Sequence, residues 1–349
     1  MQDEGDRVTG PHPAVAACRV AVRDALGDLE LGTRVWVACS GGPDSLALAA
    51  AVAFAARKQG LFAGAIIVDH GLQPDSAVVA ERAAREVRRA GIDTVRIERV
   101  TVGRAGGMEA AAREARYAAL EARVVAEGGL DPLLLTGHTM DDQAETVLLA
   151  LARGSGARAL AGIPARRGRI VRPFLTIRRK DTLAACQALD LDPWHDPSNA
   201  VDDGPRRSAL RTRVMPSLVE VLGPGVVSGL ARSAALLQAD ADELDRQARS
   251  AMAVPVASSP VGTAATGDAE EWRCDMLAAL PDAIRTRMLK MLAENRGAGP
   301  MTATHVAALD SLVMQWKGQG AISLPGGYEA RREYGRLVIS HPGHKERPA

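Results

Sequence analysis

Two groups of residues in this chain have types and spacings suited to chemistry. The first is Ser40, Gly41, Gly42, Pro43, Asp44 and Ser45, which follows the apolar run Val35 to Ala38 and precedes an Ala/Leu-rich stretch. A strand, a Gly-rich turn and a helix start form an anion site. The glycines let the backbone approach an oxyanion, and unpaired N–H groups and the helix dipole point at it. Ser40 and Ser45 add hydroxyl donors. The second group is His138, Asp142 and Glu145. Their i,i+4 and i,i+3 spacings put all three on one face near the start of a helix over 139–152. Carboxylates and an imidazole beside an anion loop suit Mg²⁺ binding and proton transfer. Asp141, Asp142 and Glu145 also have a plainer account, complementing the helix dipole. That account leaves His138 unexplained.

The elements that must position these residues alternate along the chain. Strands are expected at 35–38, 62–68, 94–100 and 132–136, with helices at 15–29, 46–57, 75–90 and 108–126 between and before them. Alternation of this kind implies an α/β fold with a doubly wound parallel sheet. Ligands of such sheets sit at the carboxyl ends of the strands. Ser40, Asp69-His70 and His138 all fall at such ends. A further helix is expected over 205–222, ending at Gly223-Pro224-Gly225. Beyond it come helices over 226–250, 274–295 and 302–316, and short strands at 322–324, 328–332 and 337–340 with Pro-Gly-Gly and Tyr-Gly turns. We therefore expect a disordered N-terminus (1–13), a catalytic domain (14–222), a smaller, mostly helical C-terminal domain (223–340) and a tail (341–349). The stretch 253–267 has the composition of a mobile loop.

The 349 residues, 47% hydrophobic and 24% charged, are those of an ordinary globular protein with room for two domains. The formal net charge is +1, which does not mark the whole chain as a polyanion binder. From Arg153 to Arg213, however, 13 Lys/Arg face 6 Asp/Glu, a local +7 that leaves −6 for the remainder. This is either a polyanion face or a solvated Arg-rich surface. The four cysteines (Cys18, Cys39, Cys186, Cys274) form no C-x-x-C pair, so neither a zinc ribbon nor a redox pair is indicated. No membrane span or secretion signal is read, and a cytoplasmic location follows as the default.

Ser-Gly-Gly-Pro-Asp-Ser lacks the Gly-Lys-Ser/Thr of a Walker loop and instead resembles the PP-loop of ATP pyrophosphatases. With VDHGL (68–72), EAAAREARY (109–117), GHTMDDQAET (137–146), RGSGARAL (153–160), RPF (172–174) and DPSN (196–199) in this order, residues 30–215 resemble the tRNA(Ile)-lysidine synthases. The C-terminal part resembles their first C-terminal domain. Two positions depart from the family pattern: Gln73, where Arg is frequent, and Ser208, where Asn is usual between Arg207 and Arg211.

The resemblance implies an enzyme, an ATP-dependent ligase that forms a C–N bond. ATP adenylates O2 of the wobble cytidine of an isoleucine tRNA with a CAU anticodon. Free L-lysine then attacks C2, giving lysidine and AMP. It implies that Ser40, Gly41, Gly42, Pro43, Asp44, Ser45, Asp69 and His70 hold ATP, and that Asp44 and Asp142 ligate Mg²⁺. His138, Asp142 and Glu145 are implied to be catalytic. Glu145, Arg113 and Arg116 would bind lysine, although Glu109 and Arg113 also suit a helix ion pair. Arg153, Arg172, Arg178, Arg206, Arg207 and Arg211 would meet tRNA phosphates. A monomer or homodimer is expected. The alternatives are a tRNA 2-thiolation enzyme, which needs sulfur-carrying cysteines, an amidating synthetase, which needs an ammonia source, and a nucleotide-sensing RNA-binding module without turnover.

Overall fold

Strand β1 (Arg34–Ala38) can sit at the centre of a sheet because Val35, Trp36 and Val37 are apolar on both faces and fully buried. It is preceded by α1 (Pro13–Leu26) and followed by α2 (Pro43–Gln59). Next come β2 (Phe62–Asp69), α3 (Ser76–Arg89), β3 (Thr94–Arg99), α4 (Met108–Ala126), β4 (Leu133–Thr136) and α5 (Met140–Ala152). β1 pairs in parallel with β2 on one side and β4 on the other. The order is β3-β2-β1-β4, continued by β6 (Ile170–Val171) and then β5 (Arg166–Arg167), which alone of these runs antiparallel. The order in which strands are added therefore reverses between β1 and β4, the crevice where a parallel sheet takes a ligand. The expected α/β fold with a doubly wound parallel sheet is observed.

The computed structural model describes residues 10–27, 29–69, 71, 75–100, 108–129, 131–154, 156–194, 206–253 and 272–341, without the side chains at 108–113 and 206. α1, α2 and the later helix α7 (Arg179–Ala188) cover one face of the sheet, and Trp36, Ile66 and Leu134 pack against Leu120 and Val124 of α4 on the other. α2 is apolar nearly all round, which suits a helix enclosed by the sheet, α1 and α7. Pro43 opens α2, and Gly60, left-handed at φ 66°, ends it.

A short α6 (Ala157–Leu160) precedes β5. After α7 come α8 (Arg206–Ala209), a π-turn over Leu210–Val214, α9 (Met215–Leu222) and α10 (Val226–Met252). The π-turn lies inside the stretch 205–222 read as one helix. The second unit holds β7 (Trp272–Arg273), α11 (Cys274–Ala278), α12 (Asp282–Asn295) and α13 (Ala303–Met314), then β8 (Ile322–Ser323), β9 (Glu329–Glu333) and β10 (Arg336–Ser340). Its sheet has the order β7-β10-β9-β8, with β8, β9 and β10 antiparallel in sequence. Tyr334 and Gly335, at φ 47° and 76°, make the expected two-residue turn.

Three expectations are corrected. The chain is helical from Pro13, where His12 Nδ1 accepts the Ala14 N–H at 3.2 Å, so order begins before residue 14. The stretch 274–295 is two helices, because Pro281 caps α12 instead of continuing α11. The units are Met1–Gln238 and Ala239–Ala349, so the division falls within α10 and not at the Gly-Pro-Gly break. The stretch 254–267 and the residues 1–9 and 342–349 lie outside the described residues. Among the described residues no single helix is long and apolar enough to cross a membrane.

Candidate active site

The turn between β1 and α2 is held closed by its own side chains. Ser45 Oγ accepts the Ser40 N–H at 3.2 Å and donates to the Gly42 carbonyl at 3.0 Å. Ser45 is therefore buried as a brace, while the Ser40 hydroxyl is exposed. Trp194 N–H donates to the Gly41 carbonyl at 2.9 Å and fixes the turn from outside. Gly41 has φ +82°, and a Cβ there would lie 2.9 Å from Ala83 Cβ. The conformational demand thus falls on Gly41. Gly42, at φ −74° and ψ 166°, is an ordinary extended N-cap. The first N–H groups of α2 have no partner within the helix. They open onto a cleft of about 850 Å³ lined by Ser40, Asp44, Asp69, Arg116, His138 and Arg179, among others.

The β4–α5 loop presses on the same turn. A Cβ on Gly137 would lie 3.0 Å from the Asp44 carbonyl carbon and oxygen, so only glycine permits this approach. His138 Nδ1 meets Thr136 Oγ1 at 2.8 Å. Thr139 caps α5, and its N–H and Oγ1 donate to Asp142 Oδ2 at 2.8 and 2.9 Å. The other oxygen of Asp142 accepts from Arg179 Nη2 at 2.6 Å. One oxygen of Asp142 thus serves the start of α5, and the other faces Arg179.

Arg179 gathers the carboxylates. Its Nε donates to Asp44 Oδ2 at 3.2 Å and its Nη1 to Glu145 Oε1 at 3.3 Å. Thr182 Oγ1 donates to the remaining Asp44 oxygen. Arg211, on the π-turn, donates to Glu145 at 2.8 and 3.1 Å and reaches Asp142 at 3.5 Å. Three carboxylates and two guanidiniums leave a formal −1. Burial works against the Arg179 charge, but Asp142, Asp44 and Glu145 outweigh it and raise its pKa. Burial raises Asp44, only partly opposed by Arg179 and Thr182. Burial also opposes ionisation of Asp142, yet Arg179, the Thr139 N–H and His138 together hold it below the usual range. A smaller hollow of about 230 Å³ adjoins the cluster and is lined by Asp141, Glu145, Arg178, Arg179 and Arg211.

Arg179, Thr182 and Trp194 were missed from sequence. A signal for Arg179 existed. Arg178, Arg179 and Lys180 crowd the start of α7, where the helix dipole disfavours cations, so acidic partners were to be sought. Arg178 indeed pairs with Asp141 at 3.1 Å.

Asp69 ends β2 in the cleft wall, where Ser76, the Gly71 N–H (3.0 Å) and Arg99 (3.2 Å) hold its carboxyl below the usual range. Arg116 lines the cleft. His70, the side chains of Arg113 and Arg206, Gln73 and 196–199 lie outside the described residues. The arginines expected to face phosphates divide. Arg153 is exposed. Arg207 reaches Thr146 Oγ1 at 3.4 Å, and Arg178 and Arg211 serve the carboxylates. Arg172 is a correction. It is 5% exposed and donates to the Pro164 carbonyl at 2.8 Å, so it ties a loop together and faces no solvent.

Asp44 and Asp142 meet on Arg179. Their oxygens are engaged by Thr182, Arg179 and the Thr139 cap. Among the described residues no group of three or more His, Cys, Asp or Glu side chains is disposed to hold a metal. All four cysteines are buried, and burial pushes Cys39 up and Cys18 and Cys186 to about 12.

The PP-loop domain family matches residues 20–218, and the TilS substrate binding domain family matches residues 273–338. A tRNA(Ile)-lysidine synthase of Thermobifida fusca is 50% identical over 335 residues, covering 95% of this chain and 99% of its own. One from Salinispora tropica is 50% identical over 339 residues (95% and 98%), and one from Mycobacterium bovis 44% over 320 (91% and 93%). Among solved structures, a U34-tRNA thiolase from Methanococcus maripaludis superposes with a TM-score of 0.53 at 20% identity, over 64% of this chain and 78% of its own. That likeness is one of fold.

Proposed function

This chain belongs to the tRNA(Ile)-lysidine synthase family, and from that premise we propose how its cleft carries the reaction. It is an ATP-dependent ligase that modifies isoleucine tRNA. In our reading the β1–α2 turn takes the phosphates of ATP on its backbone N–H groups and the Ser40 hydroxyl. Gly41, Gly42 and Pro43 shape that turn and Ser45 braces it. Asp69 and His70 bound the nucleotide side. The wobble cytidine enters beside His138, and ATP adenylates its O2 with release of pyrophosphate. The lysine ε-amine then attacks C2 and AMP leaves.

The observation that carries this reading is the cluster of Asp44, Asp142 and Glu145 on Arg179 and Arg211, one negative charge in excess, at the mouth of the phosphate turn. One more cation balances it, and the lysine ε-ammonium is such a cation. Asp142 and Glu145 then bind it, and a carboxylate removes a proton, because an ammonium has no lone pair for attack. Arg116 and Arg113 are suited to the lysine carboxylate. Arg153, Arg206 and Arg207 are suited to tRNA phosphates. Magnesium would enter on the phosphates of ATP, which bind it through oxygen. Asp44, which lines the cleft, and Asp142 beside it on Arg179 would help to hold the ion there. We place the reaction in the cytoplasm, in a monomer or homodimer.

The thiolation alternative loses support at the cysteines, since a buried thiol with a raised pKa is a poor sulfur carrier. Mass spectrometry of isoleucine tRNA after incubation with ATP and lysine tests the proposal. A lysine-dependent mass gain at the wobble cytidine is expected. ATP-dependent adenylation that no added lysine converts to product would overturn the role given to the carboxylates.

A further inference from the structure

Between Glu145 and Asp181 the sequence has nine Lys/Arg and no Asp or Glu. The fold sorts these cations into two kinds. Arg172, Arg178 and Arg179 turn inward, onto the Pro164 carbonyl and the carboxylates of the cluster. Arg166 and Arg167 do not. They are β5, the last strand of the sheet, and both are exposed. Among the described residues neither makes an ion pair. Arg166 Nε reaches only the Gly168 carbonyl, at 3.2 Å. The turn beside them is open: a Cβ on Gly168 would meet nothing within 4 Å. Arg153 is exposed on the same acid-free segment.

We infer that the β5–β6 hairpin is a docking surface for the phosphate backbone of the RNA substrate, outside the cleft, with Arg166 and Arg167 as its contacts. The inference rests on the reading of a tRNA substrate given above. Like charges left together without an ion-pair partner repel, and a polyanion relieves that repulsion. Each arginine that meets a phosphate also releases condensed counterions.

There is a competing account. Edge strands carry charged side chains to prevent strand-to-strand association. Such a guard needs charge of either sign, however, and a mixture serves as well. Here both exposed residues of the edge strand carry the same sign, with Arg153 exposed on the same segment.

Charge reversal separates the two accounts. The double variant Arg166→Glu/Arg167→Glu keeps the edge charged but repels phosphate. Binding of isoleucine tRNA is measured at several salt concentrations, with the melting temperature, ATP calorimetry and sedimentation alongside. We expect tRNA affinity to fall on the order of tenfold or more at low salt, and the salt slope to flatten by about 1 for each arginine engaged. ATP affinity and the melting temperature should stay as in the parent. Arg166→Gln/Arg167→Gln should give a smaller loss in the same direction. Unchanged affinity and slope in a folded, monodisperse double variant would overturn the inference and leave edge protection. Failure of the parent chain to bind tRNA at all would instead overturn the substrate reading.

Discussion

Arg285 and Arg179 are both guanidiniums drawn out of water and gripped by carboxylates, one in each unit of the molecule. Arg285 donates to Asp310 at 2.7 Å, Asp282 at 2.8 Å and the Leu280 carbonyl at 2.9 Å. Its partners come from the α11–α12 corner and α13, so it staples helices together. Arg179 meets Asp44 of α2 and Asp142 and Glu145 of α5, and these partners border a cleft. Neither hollow of the first unit includes the Arg285 cluster, and Asp282 is 89% exposed, where water screens it. The Arg179 carboxylates are withdrawn together and, even with Arg211, outnumber their cations. Buried arginine–carboxylate contact is therefore no sign of function by itself. Charge excess beside an anion-binding turn is one.

Substituting each arginine breaks the comparison most sharply. Arg179→Met leaves three carboxylates facing one another, and we expect lysidine formation to fall by about a thousandfold, the upper range for losing a preorganised electrostatic partner. Arg285→Met should cost about 1.5–3 kcal/mol of stability, the usual worth of hydrogen bonds to a charged group, because water takes over Asp282. Its turnover per folded molecule should match the parent. Denaturant melts and single-turnover assays on both variants check this. Comparable catalytic loss in a folded Arg285→Met would erase the distinction.

Asp142→Asn comes next. One oxygen caps α5 and the other holds Arg179, so the substitution touches both fold and chemistry. Product should fall by about a hundredfold or more as an electrostatic contact is lost, and stability by about 1 kcal/mol as the cap weakens. Product mass spectrometry and a melting curve on one preparation separate the two losses. Full activity with a lowered melting temperature would make Asp142 a capping residue only.

The glycines of the turn sharpen the view of its anion-binding side. Gly41→Ala forces a side chain to φ +82° and against Ala83, at a cost of about 1–2 kcal/mol. Gly42→Ala meets nothing closer than Ser40 Oγ at 3.6 Å, so stability should hold. ATP affinity should still drop if phosphate occupies the space above it. Calorimetry with ATP distinguishes the pair, and an unaffected Gly42→Ala would move the phosphate site off that residue.

What could be read from sequence follows physical range. The strands and helices of the first unit were legible because apolar runs and periodicity are local, and the turn because its six residues are contiguous. Asp142 and Glu145 were legible as neighbours on one face. Their partner Arg179 lies 37 residues beyond Asp142 and is joined to it only through the sheet. Charge counting marked the right segment for a basic surface but could not tell Arg172, buried against a carbonyl, from Arg167, open to water. The break at Pro281 was legible in principle, since proline inside a helical pattern ends it, and the long Ala/Leu composition masked it. The division within α10 was not legible, because a continuous helix carries no local mark of which core each turn packs against.

The smallest effect concerns pH and divides the two aspartates on Arg179. Burial pushes Asp44 above its ordinary value of 3.8, while Arg179, the Thr139 cap and His138 hold Asp142 below 3.8 against its own burial. Stability rises with pH wherever the unfolded chain binds more protons than the folded one. For Asp44 the folded state binds the extra proton between 3.8 and its raised value, so the contribution of Asp44 declines as pH climbs through that window. For Asp142 the contribution is complete above 3.8 and is lost as pH falls through its lowered folded value. Urea unfolding of the parent, Asp44→Asn and Asp142→Asn across acidic to neutral pH measures both. The parent's advantage over Asp44→Asn should shrink on going up from 3.8, and its advantage over Asp142→Asn should shrink on going down. A carboxyl that titrates one pH unit away from its unfolded value changes stability by about 1.4 kcal/mol, so the slopes are modest but resolvable. Parallel slopes would mean that the two carboxylates share one environment. Arg179 would then hold them as evenly as Arg285 holds its partners, and the contrast between the two clusters would rest on the cleft alone.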